Sequence, residues 1–454
     1  MILHYFKLMW HDKSFQKTVL TIALPLMLQQ LIVSSVNLID NLMVGQLGDV
    51  ALSAVSMANR YYMIVWAGVN GMIASGVIYL SQYKGANDPN HMQQSYRFML
   101  VSSYLLCMIL FAIAFFFPDK VIGFFINDAF VIQEGSIYLR IAAISYLPSV
   151  LSLAIASSLR ALGETKKTLY VSMISVFTNA IFNYLLIFGL LMFPALGVAG
   201  AAIATLIARI LEMFIYMYLL HQSDMPFKTK LIDIFRFEKE LAKRITIRAI
   251  PLCVNEVLWA FGMSALVKCY SIRGLVVNTA YSISSTIADL FFVLFGGMAT
   301  AATVLIGTPL GANQLEEAKE NAYKLLCFSL ILALIIIILM FLASFIVPYF
   351  YNVSVEAQHL SANFLRVIAM FFGLLMFNTS IYFILRTGGD TKSTLFMDSG
   401  FMWSLCIPIV AFLAYQTTLP VLLVYAFGQG VDIIKAFLSY HLLKKEKWLV
   451  NLTI

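Results

Sequence analysis

The sequence predicts an all-α polytopic membrane protein with twelve transmembrane helices arranged as two parallel repeats of six. Three observations predict this fold class. The 454 residues are 61% hydrophobic and 12% charged, a charged fraction about half that of an average soluble protein. The apolar residues form long continuous runs, and the second half of the chain repeats motifs of the first. Soluble globular, disordered, collagen-like and coiled-coil classes are therefore excluded.

The apolar runs are about 20 residues long, the length at which a helix crosses a bilayer. Their hydrophobicity is continuous, which excludes a transmembrane barrel because barrel strands alternate lipid-facing and lumen-facing residues. Twelve candidate spans result, at 18–44, 51–81, 96–117, 134–159, 168–191, 195–220, 245–270, 277–307, 322–347, 360–385, 394–415 and 419–443.

The placement of charge predicts the orientation. Of the 30 Lys and Arg residues, 22 fall in the two terminal tails and in alternate loops on one side of the membrane. By the positive-inside rule both termini are cytoplasmic, in a multi-pass protein of the cell membrane. The net charge of +7 then indicates contact with anionic membrane lipids and predicts no nucleic-acid partner.

The first span is too long for a cleavable signal peptide, so we expect it to remain as a membrane helix. The five cysteines are scattered and mostly inside apolar runs, so neither a disulfide framework nor metal-ligand spacing is predicted. The six histidines lie in tails, loops or a helix end. We therefore expect no haem, zinc or other cofactor inside the helix bundle.

A shift of 226 residues aligns the two halves of the chain. The longest match aligns LRALGETKKTL, beginning at Leu159, with LRTGGDTKSTL, beginning at Leu385. The same shift aligns Pro25 with Pro251, Gly48 with Gly274, Ala54 with Ala280, Gly71 with Gly297, Gly85-Ala86-Asn87 with Gly311-Ala312-Asn313, Arg140 with Arg366 and Pro194 with Pro420. Because each half has six spans, the halves are parallel, an arrangement that places a shared cavity between them in transporters.

The repeat divides the chain into an N-lobe at 1–220, a cytoplasmic linker at 221–244 and a C-lobe at 245–454. The linker contains FKTKLIDIFRFEKELAKR, in which apolar and basic residues alternate at helical spacing. This pattern predicts an amphipathic helix on the cytoplasmic leaflet. A solvated linker without a helix is the alternative.

Ionisable residues inside a span are costly unless they are paired or hydrated, so each is a candidate for function. Arg209 and Glu212 are three residues apart, as are Asp432 and Lys435, near the cytoplasmic ends of their spans. This spacing predicts structural ion pairs within each helix. Asp398 is a weaker candidate for function, since a helix end or contact with water would explain it.

Asp40 is the leading candidate because no basic residue is close to it in sequence. Pro25 precedes it by about four helical turns and Asn37 by one, so the three lie on nearly the same face. An uncompensated carboxylate in a low dielectric can exchange a proton, or hold Na⁺ together with neighbouring oxygen atoms. Pro25 removes a backbone hydrogen bond and is predicted to act as a hinge.

Asn179 and Asn183 are four residues apart in span five and share one helix face. Their predicted depth overlaps that of Asp40, and their amides could coordinate a cation or bond to a protonated carboxyl. Each asparagine could equally serve only to join helices. The sequence predicts a cation-coupling and substrate site at Asp40, Asn179, Asn183 and Asn37, with Na⁺ as a candidate ligand of the first three.

Span seven contains a second polar cluster, Asn255 and Glu256, shortly after Pro251. Glu256 aligns with Gln30 under the shift, so Asp40 and Glu256 are not symmetry copies. This asymmetry predicts either separate sites in the two lobes, or one coupling site and one counter-charge for the substrate.

Together these residues resemble the multidrug and toxic compound extrusion (MATE) family of cation-coupled antiporters. The first repeat reads P…N..D..MVG.LG…AL.AV from Pro25 to Val55, and the second reads P…NE..W from Pro251 to Trp259. Gly-Ala-Asn follows span two and recurs in the second repeat, and R..G[ED]TK strings follow spans four and ten. The resemblance covers essentially the whole chain.

The resemblance implies a twelve-helix, two-lobed, V-shaped exporter that exchanges H⁺ or Na⁺ for cationic organic compounds. It implies that Asp40 is the family's first-helix carboxylate and Pro25 its bending proline. Asn179 and Asn183 match the fifth-helix polar pair, although some relatives have an acid where this chain has Asn183. Glu256 resembles the seventh-helix acid of members that bind Na⁺ in the C-terminal lobe, but it lies unusually close to the preceding proline.

We therefore expect a monomeric secondary antiporter, not an enzyme, whose small-molecule substrate is a lipophilic cation. A lipid-linked oligosaccharide flippase of the same superfamily is the alternative, and it would need basic residues lining its cavity to hold pyrophosphate. An intramembrane enzyme is an alternative from another class, but the spans contain no His, Cys or Ser/Asp constellation at depth. The sequence leaves open the natural substrate and the choice between H⁺ and Na⁺.

Overall fold

A computed structural model describes residues 2–190, 193–351 and 353–454. The regular structure of these residues is entirely helical. Twelve membrane-length segments among them are long and apolar enough to cross a bilayer. The predicted all-α fold with twelve transmembrane helices is confirmed.

Six long helices and two short ones form the first half of the described chain. The short helices, α1 and α5, fall below the length needed to cross a bilayer. In order, the helices are α1 (Ile2–His11), α2 (Lys13–Gly45), α3 (Asp49–Gly85), α4 (Pro89–Phe116), α5 (Pro118–Phe125), α6 (Ala129–Ala161), α7 (Thr165–Phe188) and α8 (Gly197–Gln222).

The second half builds several of its spans from consecutive shorter helices. These spans run over Leu275–Gly311, Leu315–Phe350, Thr391–Gln416 and Val421–Lys444. The helices are α9 (Lys239–Ser271), α10 (Leu275–Leu305), α11 (Gly307–Gly311), α12 (Leu315–Ala343), α13 (Val355–Thr387), α14 (Thr391–Leu395), α15 (Ile407–Gln416), α16 (Val421–Gly430) and α17 (Asp432–Lys444).

Local sequence explains where several helices begin. Asp88 caps α4 by accepting a hydrogen bond from the His91 backbone N–H at 3.0 Å, and Pro89 occupies the first helical turn. Asp128 caps α6 in the same way, with the Val131 N–H at 3.0 Å. A carboxylate at this position satisfies a backbone donor that the helix itself leaves unpaired.

The backbone repeats with the period found in the sequence. Asn87 and Asn313 have left-handed φ angles of 53° and 60°, at the ends of the two Gly-Ala-Asn motifs. Asparagine tolerates this conformation better than most residues, which explains why each motif ends a helix with it. Gly163 and Gly389, in the two R..G[ED]TK strings, have matching φ angles of 87° and 84°. The 226-residue repeat is thus a repeat of structure.

The helices pack into two compact units. The first-repeat unit contains Leu28–Lys84 and Asp88–Cys253, and the second-repeat unit contains Met1–Met27, Gly85–Asn87 and Val254–Ile454. The boundaries in α2 and α9 each fall two residues after an aligned proline. The predicted lobes at 1–220 and 245–454 differ from these units at both helices, and the lobe boundaries stay a prediction.

Two aligned glycines explain where α2 and α9 pack. In the first-repeat unit, a Cβ on Gly71 of α3 would lie 2.6 Å from the Cys253 backbone of α9. In the second-repeat unit, a Cβ on Gly297 of α10 would lie 3.0 Å from the Ala23 carbonyl oxygen of α2. Small residues let membrane helices approach closely. Each unit therefore packs its second span against a helix segment contributed by the other half of the sequence.

The linker does not form the predicted amphipathic helix. Between Ser223 and Glu238 the described backbone is irregular apart from one 3₁₀ turn at Leu231–Asp233. Two aromatic residues of this stretch pack on α4 within the first-repeat unit: Phe227 is fully buried against Tyr96, and Phe237 lies against Phe98. Part of the apolar pattern is thus used for protein packing, whereas Ile232 and Phe235 are 81% and 73% exposed. The last part of the predicted helix is the first turn of α9.

Candidate functional site

Asp40 and Asn183 are hydrogen-bonded inside the first-repeat unit. Asn183 Nδ2 of α7 donates to Asp40 Oδ1 of α2 at 2.8 Å, and Asn183 is 2% exposed. Asn179, one turn away on α7, accepts a hydrogen bond from Asn183 at 3.4 Å and donates one to Thr205 Oγ1 of α8 at 3.3 Å. The structure therefore brings together three residues that sequence reasoning selected, and adds Thr205.

These side chains line a cavity of about 510 Å³ within the first-repeat unit. Asn37 lines it as well, one helical turn from Asp40. The aromatic walls are Tyr62, Trp66, Tyr138 and Tyr146. Aromatic faces attract organic cations, and a carboxylate in their midst reinforces that preference. The cavity combines a negative group with aromatic walls.

The oxygen atoms around Asp40 could also hold a small cation. The carboxylate of Asp40 and the amide oxygens of Asn179 and Asn183 are ligands of the type that hard cations prefer. Asn183 Oδ1 is buried and accepts no hydrogen bond from the described residues. The donor set thus fits Na⁺, and it fits equally a proton held on Asp40. Among the described residues, no group of three His, Cys, Asp or Glu side chains could hold a metal ion.

The predicted pair of Arg209 and Glu212 is present in α8. Arg209 NH1 lies 2.7 Å from Glu212 Oε2, and Ser175 of α7 donates to the same oxygen at 3.1 Å. Arg209 also lines the cavity that contains Asp40. The pair is thus a structural ion pair, as predicted, and in addition it places a guanidinium and a carboxylate beside the candidate site.

The predicted pair of Asp432 and Lys435 does not form. Lys435 Nζ of α17 instead lies 2.8 Å from Asp398 Oδ1 in span eleven, while the Asp432 carbonyl accepts a hydrogen bond from Asn378 at 3.1 Å. Asp398 is 37 residues away in sequence, so spacing along one helix could not reveal this partner. Asp398 is thereby a charge-compensated group within the second-repeat unit.

Asn255 fixes the backbone around Asp398. Span eleven contains two wider π-helical turns, at Phe396–Gly400 and Met402–Cys406. Asn255 Nδ2 donates to Asp398 Oδ2 at 3.2 Å, and Ser399 donates to the Asn255 side chain and backbone at 2.7 and 2.8 Å. A π-helical turn leaves backbone groups out of the regular ladder, and the side chain of Asn255 satisfies one of them at Ser399 N–H.

Glu256 is compensated by a base. Arg386 NH1 of α13 lies 3.5 Å from Glu256 Oε1, and both side chains are about a quarter exposed. Sequence reasoning missed Arg386 as a partner, although it is the arginine of the second R..G[ED]TK string. Asp40 differs, because Arg209 acts on it only through space and its hydrogen bond comes from a neutral amide. Of the carboxylates predicted for the site, Asp40 is the one without a salt bridge to any described residue.

Pro25 lies within α2, which continues unbroken from Lys13 to Gly45. Its side chain is buried, and the boundary between the two compact units follows two residues later. The predicted hinge at Pro25 therefore coincides with a change of packing partners along one helix. Bending at this position stays a prediction.

Similar proteins share both sequence and fold with this chain. A probable multidrug resistance protein NorM of Oceanobacillus iheyensis is 25% identical over 425 residues, 92% of this chain and 93% of the relative. An uncharacterized transporter YisQ of Bacillus subtilis is 24% identical over 405 residues, 88% of this chain and 87% of the relative. These relatives align over nearly their full length.

Solved structures have the same fold. The MATE transporter VcmN of Vibrio cholerae superposes with a TM-score of 0.87 at 17% identity, over 96% of this chain and 98% of that chain. A MATE structure in complex with MaL6 gives 0.87 at 18% identity, over 95% and 97% of the two chains. At these identities the likeness shows the fold alone.

The family model named MatE matches the chain twice, at residues 25–185 and 251–413. The two matches begin at Pro25 and Pro251, which the internal repeat aligns. Together they cover most of the chain, and the multi-pass helical fold agrees with them. The chain belongs to the MatE family.

Proposed function

We propose that the chain is a secondary antiporter that exports lipophilic organic cations in exchange for H⁺ or Na⁺, with Asp40 as the coupling group. One observation carries the proposal: Asp40 is a carboxylate within a membrane span that is bonded to an amide and faces a cavity. A carboxylate without a salt bridge at this depth must bind a cation or a proton to become neutral. Binding a cation there changes the charge of the cavity, which an antiporter requires.

Family membership supports a transporter and not an enzyme, because relatives are named as transporters or multidrug resistance proteins. The small-molecule substrate that we propose is cationic and aromatic or lipophilic. Tyr62, Trp66 and Tyr146 supply π faces, and Asp40 supplies the negative charge.

In the proposed cycle, a cation entering from outside neutralises Asp40 and rearranges its bond to Asn183. We propose that α2 then bends near Pro25, reduces the cavity and expels the substrate. The change of packing partners just after Pro25 supports this position for the hinge. Both termini are proposed to be cytoplasmic, in the cell membrane, and the protein is proposed to act as a monomer.

The flippase alternative is less well supported. A pyrophosphate group needs uncompensated positive charge in the cavity. Arg209 lines the cavity, but the Glu212 carboxylate 2.7 Å away offsets its charge. With Asp40 included, the balance of these three groups favours cations.

The test is transport by purified protein in sealed vesicles, with a proton gradient and a Na⁺ gradient imposed separately. Asp40→Asn should abolish dye transport driven by either gradient, because the variant cannot change its charge. Glu256→Gln is the comparison, since it removes an acid that already has a base. Unchanged gradient dependence in Asp40→Asn would overturn the proposal, and loss in Glu256→Gln alone would move the coupling site to the second repeat.

A further inference from the structure

One face of α7 is polar from Thr165 to Asn183. The residues recur every three or four positions, so they share a single helix face. They are Asn183, Asn179, Ser175, Ser172, Thr168 and Thr165. All except Asn179 are buried, from 0% exposed at Thr168 to 7% at Ser172. This buried polar stripe runs from the Asp40 site to the end of α7 that is predicted to be cytoplasmic.

Polar groups of neighbouring helices face the stripe. On α8, Thr205 bonds to Asn179 and Glu212 bonds to Ser175. On α2, Gln29 Nε2 donates to Ser172 Oγ at 2.6 Å, and Thr168 Oγ1 donates to Gln29 Oε1 at 3.5 Å. All these residues belong to the first-repeat unit. They form a polar column that connects Asp40 with the beginning of α7.

The fold does not require the half of this column that lies toward Asn183, although the other half recurs: Thr165, Thr168 and Ser172 align with Thr391, Thr394 and Asp398. In the second repeat, the positions aligned with Ser175, Asn179 and Asn183 are Phe401, Leu405 and Ile409. The same helix pair therefore packs with apolar side chains over the half of the membrane where the first repeat is polar. Burying polar groups in a membrane protein is costly, so the presence of Ser175, Asn179 and Asn183 only in the repeat that contains Asp40 points to a role in coupling.

Glu212 is the titratable group of the column that lies inward of Asp40. Its carboxylate is paired with Arg209 and accepts a bond from Ser175. The other ionisable groups that interact with it are Arg160 of α6, Tyr216 of α8 and Tyr62 of α3. Glu212 therefore meets the polar column at Ser175 and lies beside the cavity-lining Arg209. A carboxylate in this position can accept a proton from the Asp40 side and pass it on, which is the behaviour of a relay.

We propose that Glu212 relays protons from Asp40 to the cytoplasmic side, and that the coupling ion of this chain is H⁺. The inference rests on the antiport function proposed above. In the step, an O–H bond of the Asp40 carboxyl breaks and an O–H bond forms on Glu212, through water in the 510 Å³ cavity that both Asp40 and Arg209 line. The proton then leaves Glu212 for cytoplasmic water, and both carboxylates return to their ionised state.

The position of Arg209 favours a proton over Na⁺. Arg209 lines the cavity, and Glu212 Oε2 is already bonded to Arg209 NH1 at 2.7 Å and to Ser175 at 3.1 Å, so this oxygen is not vacant for a metal ion that has lost its water. A proton avoids this obstacle, because it moves by exchange of O–H bonds and needs no vacant coordination site. The ion pair of Arg209 and Glu212 thus admits a proton and excludes Na⁺.

The test measures proton flux and substrate transport in vesicles that contain a pH-sensitive dye. Glu212→Gln keeps the size of the side chain and removes the exchangeable carboxylate. We expect proton flux driven by substrate to fall at least about tenfold, while equilibrium binding of the substrate stays within about twofold of the wild type. Glu212→Asp, which keeps a carboxylate, should recover much of the flux. A purely structural role would lower binding and flux together.

Two further variants keep the test decisive. Arg209→Gln/Glu212→Gln buries no unpaired charge, so it replaces the single variant if Glu212→Gln fails to fold, and it should show the same loss of flux. Asp233→Asn removes the acid of another arginine–carboxylate pair spaced three residues apart, Asp233 and Arg236 in the linker, and should leave flux unchanged. Proton flux at the wild-type level in Glu212→Gln, or transport driven by Na⁺ alone, would overturn the relay. If Asp40→Asn also transports normally, the antiport proposal itself fails.

Discussion

Asn183 Nδ2 donates to Asp40 Oδ1 at 2.8 Å, while the carbonyl oxygen of the same Asn183 amide is buried and accepts no hydrogen bond from the described residues. A buried acceptor without a donor costs free energy, and a cation or a protonated carboxyl beside it would remove that cost. Asn183 Oδ1 therefore favours the cation-bound or protonated state of Asp40, and Asn183 Nδ2 orients the carboxylate.

Asn183→Leu should weaken ion coupling without removing it. The variant loses both the donor to Asp40 and the buried acceptor, a change of about 1–2 kcal/mol in the affinity for the coupling ion. We expect the ion concentration for half-maximal transport to rise about tenfold. The measurement is transport in vesicles over a series of H⁺ and Na⁺ concentrations.

Asn183→Asp makes the opposite change, because it adds a negative charge and keeps the acceptor oxygens. Cation affinity should increase, and the concentration for half-maximal transport should fall. If both variants behave like the wild type, Asn183 only joins α2 and α7, the alternative that the sequence left open.

The association of Asp40, Asn179 and Asn183 was predictable because each step uses local information. Helical spacing places the two asparagines on one face, and counting residues from the span ends places all three at a similar depth. The number of spans and the repeat register were predictable for the same reason. Thr205 was not predictable, since a single threonine in an apolar helix gives no signal in the sequence.

The second-repeat unit offers a test of the ion pair that the sequence did not reveal. Lys435→Leu would leave Asp398 without its base, and an uncompensated buried carboxylate costs up to about 3–5 kcal/mol. We expect a clear drop in the thermal midpoint of the purified protein. The double variant Lys435→Leu/Asp398→Leu should recover most of the lost thermal midpoint, because neither charge remains.

Asp432→Asn is the matched control, since Asp432 is the partner that helical spacing wrongly predicted. Its thermal midpoint should stay near that of the wild type. A large loss in Asp432→Asn with none in Lys435→Leu would contradict the pairing in the structure. The sequence could not decide between the two acids, because Asp398 reaches Lys435 only through tertiary packing of span eleven against α17.

The failed prediction in the linker has a related cause. The apolar residues of the linker have helical spacing. Spacing alone cannot show whether such residues face lipid or pack against protein. Phe237 lies against Phe98 of α4 at a ring-centroid distance of 5.3 Å, and Arg97 of the same helix donates to the Arg236 carbonyl at 3.0 Å. These contacts hold the segment on α4 without a helix.

Gly71→Ala should destabilise the protein by overpacking. The added Cβ would lie 2.6 Å from the Cα and N atoms of Cys253, and backbone atoms of α9 cannot move aside as a flexible side chain would. We expect a loss of about 1–3 kcal/mol, seen as a lower thermal midpoint.

Gly296→Ala is the control for that substitution, because Gly296 lies in α10 and its added Cβ would meet nothing within 4 Å. Alanine has the higher helix propensity, so this variant should be neutral or slightly more stable. Equal effects of the two substitutions would show that helix propensity, and not the contact between α3 and α9, governs the result.

Asp12 should make stability depend on pH at the start of α2. Its carboxylate bonds to Lys324 Nζ at 2.8 Å and accepts from the Phe15 N–H at 2.9 Å, and these bonds hold the pKa of Asp12 below its ordinary value. Because the folded pKa is depressed, the unfolded chain binds more protons as pH falls, so the stabilisation is present above about pH 4 and is lost below the folded pKa.

Two variants separate the charge of Asp12 from its capping role. Asp12→Asn keeps an N-cap acceptor and loses the ion pair, so it should cost about 0.5–1 kcal/mol at pH 7 and nothing at low pH. Asp12→Ala also loses the cap and should cost about 1 kcal/mol more at both pH values. The measurement is the thermal midpoint of each protein from pH 3 to pH 7. The curves of the wild type and Asp12→Asn should converge at low pH, whereas the curve of Asp12→Ala should stay below both. Curves for the wild type and Asp12→Asn that coincide at every pH would mean that Lys324 relies on Glu320, its other partner at 2.5 Å, and that the bond to Asp12 adds no stability.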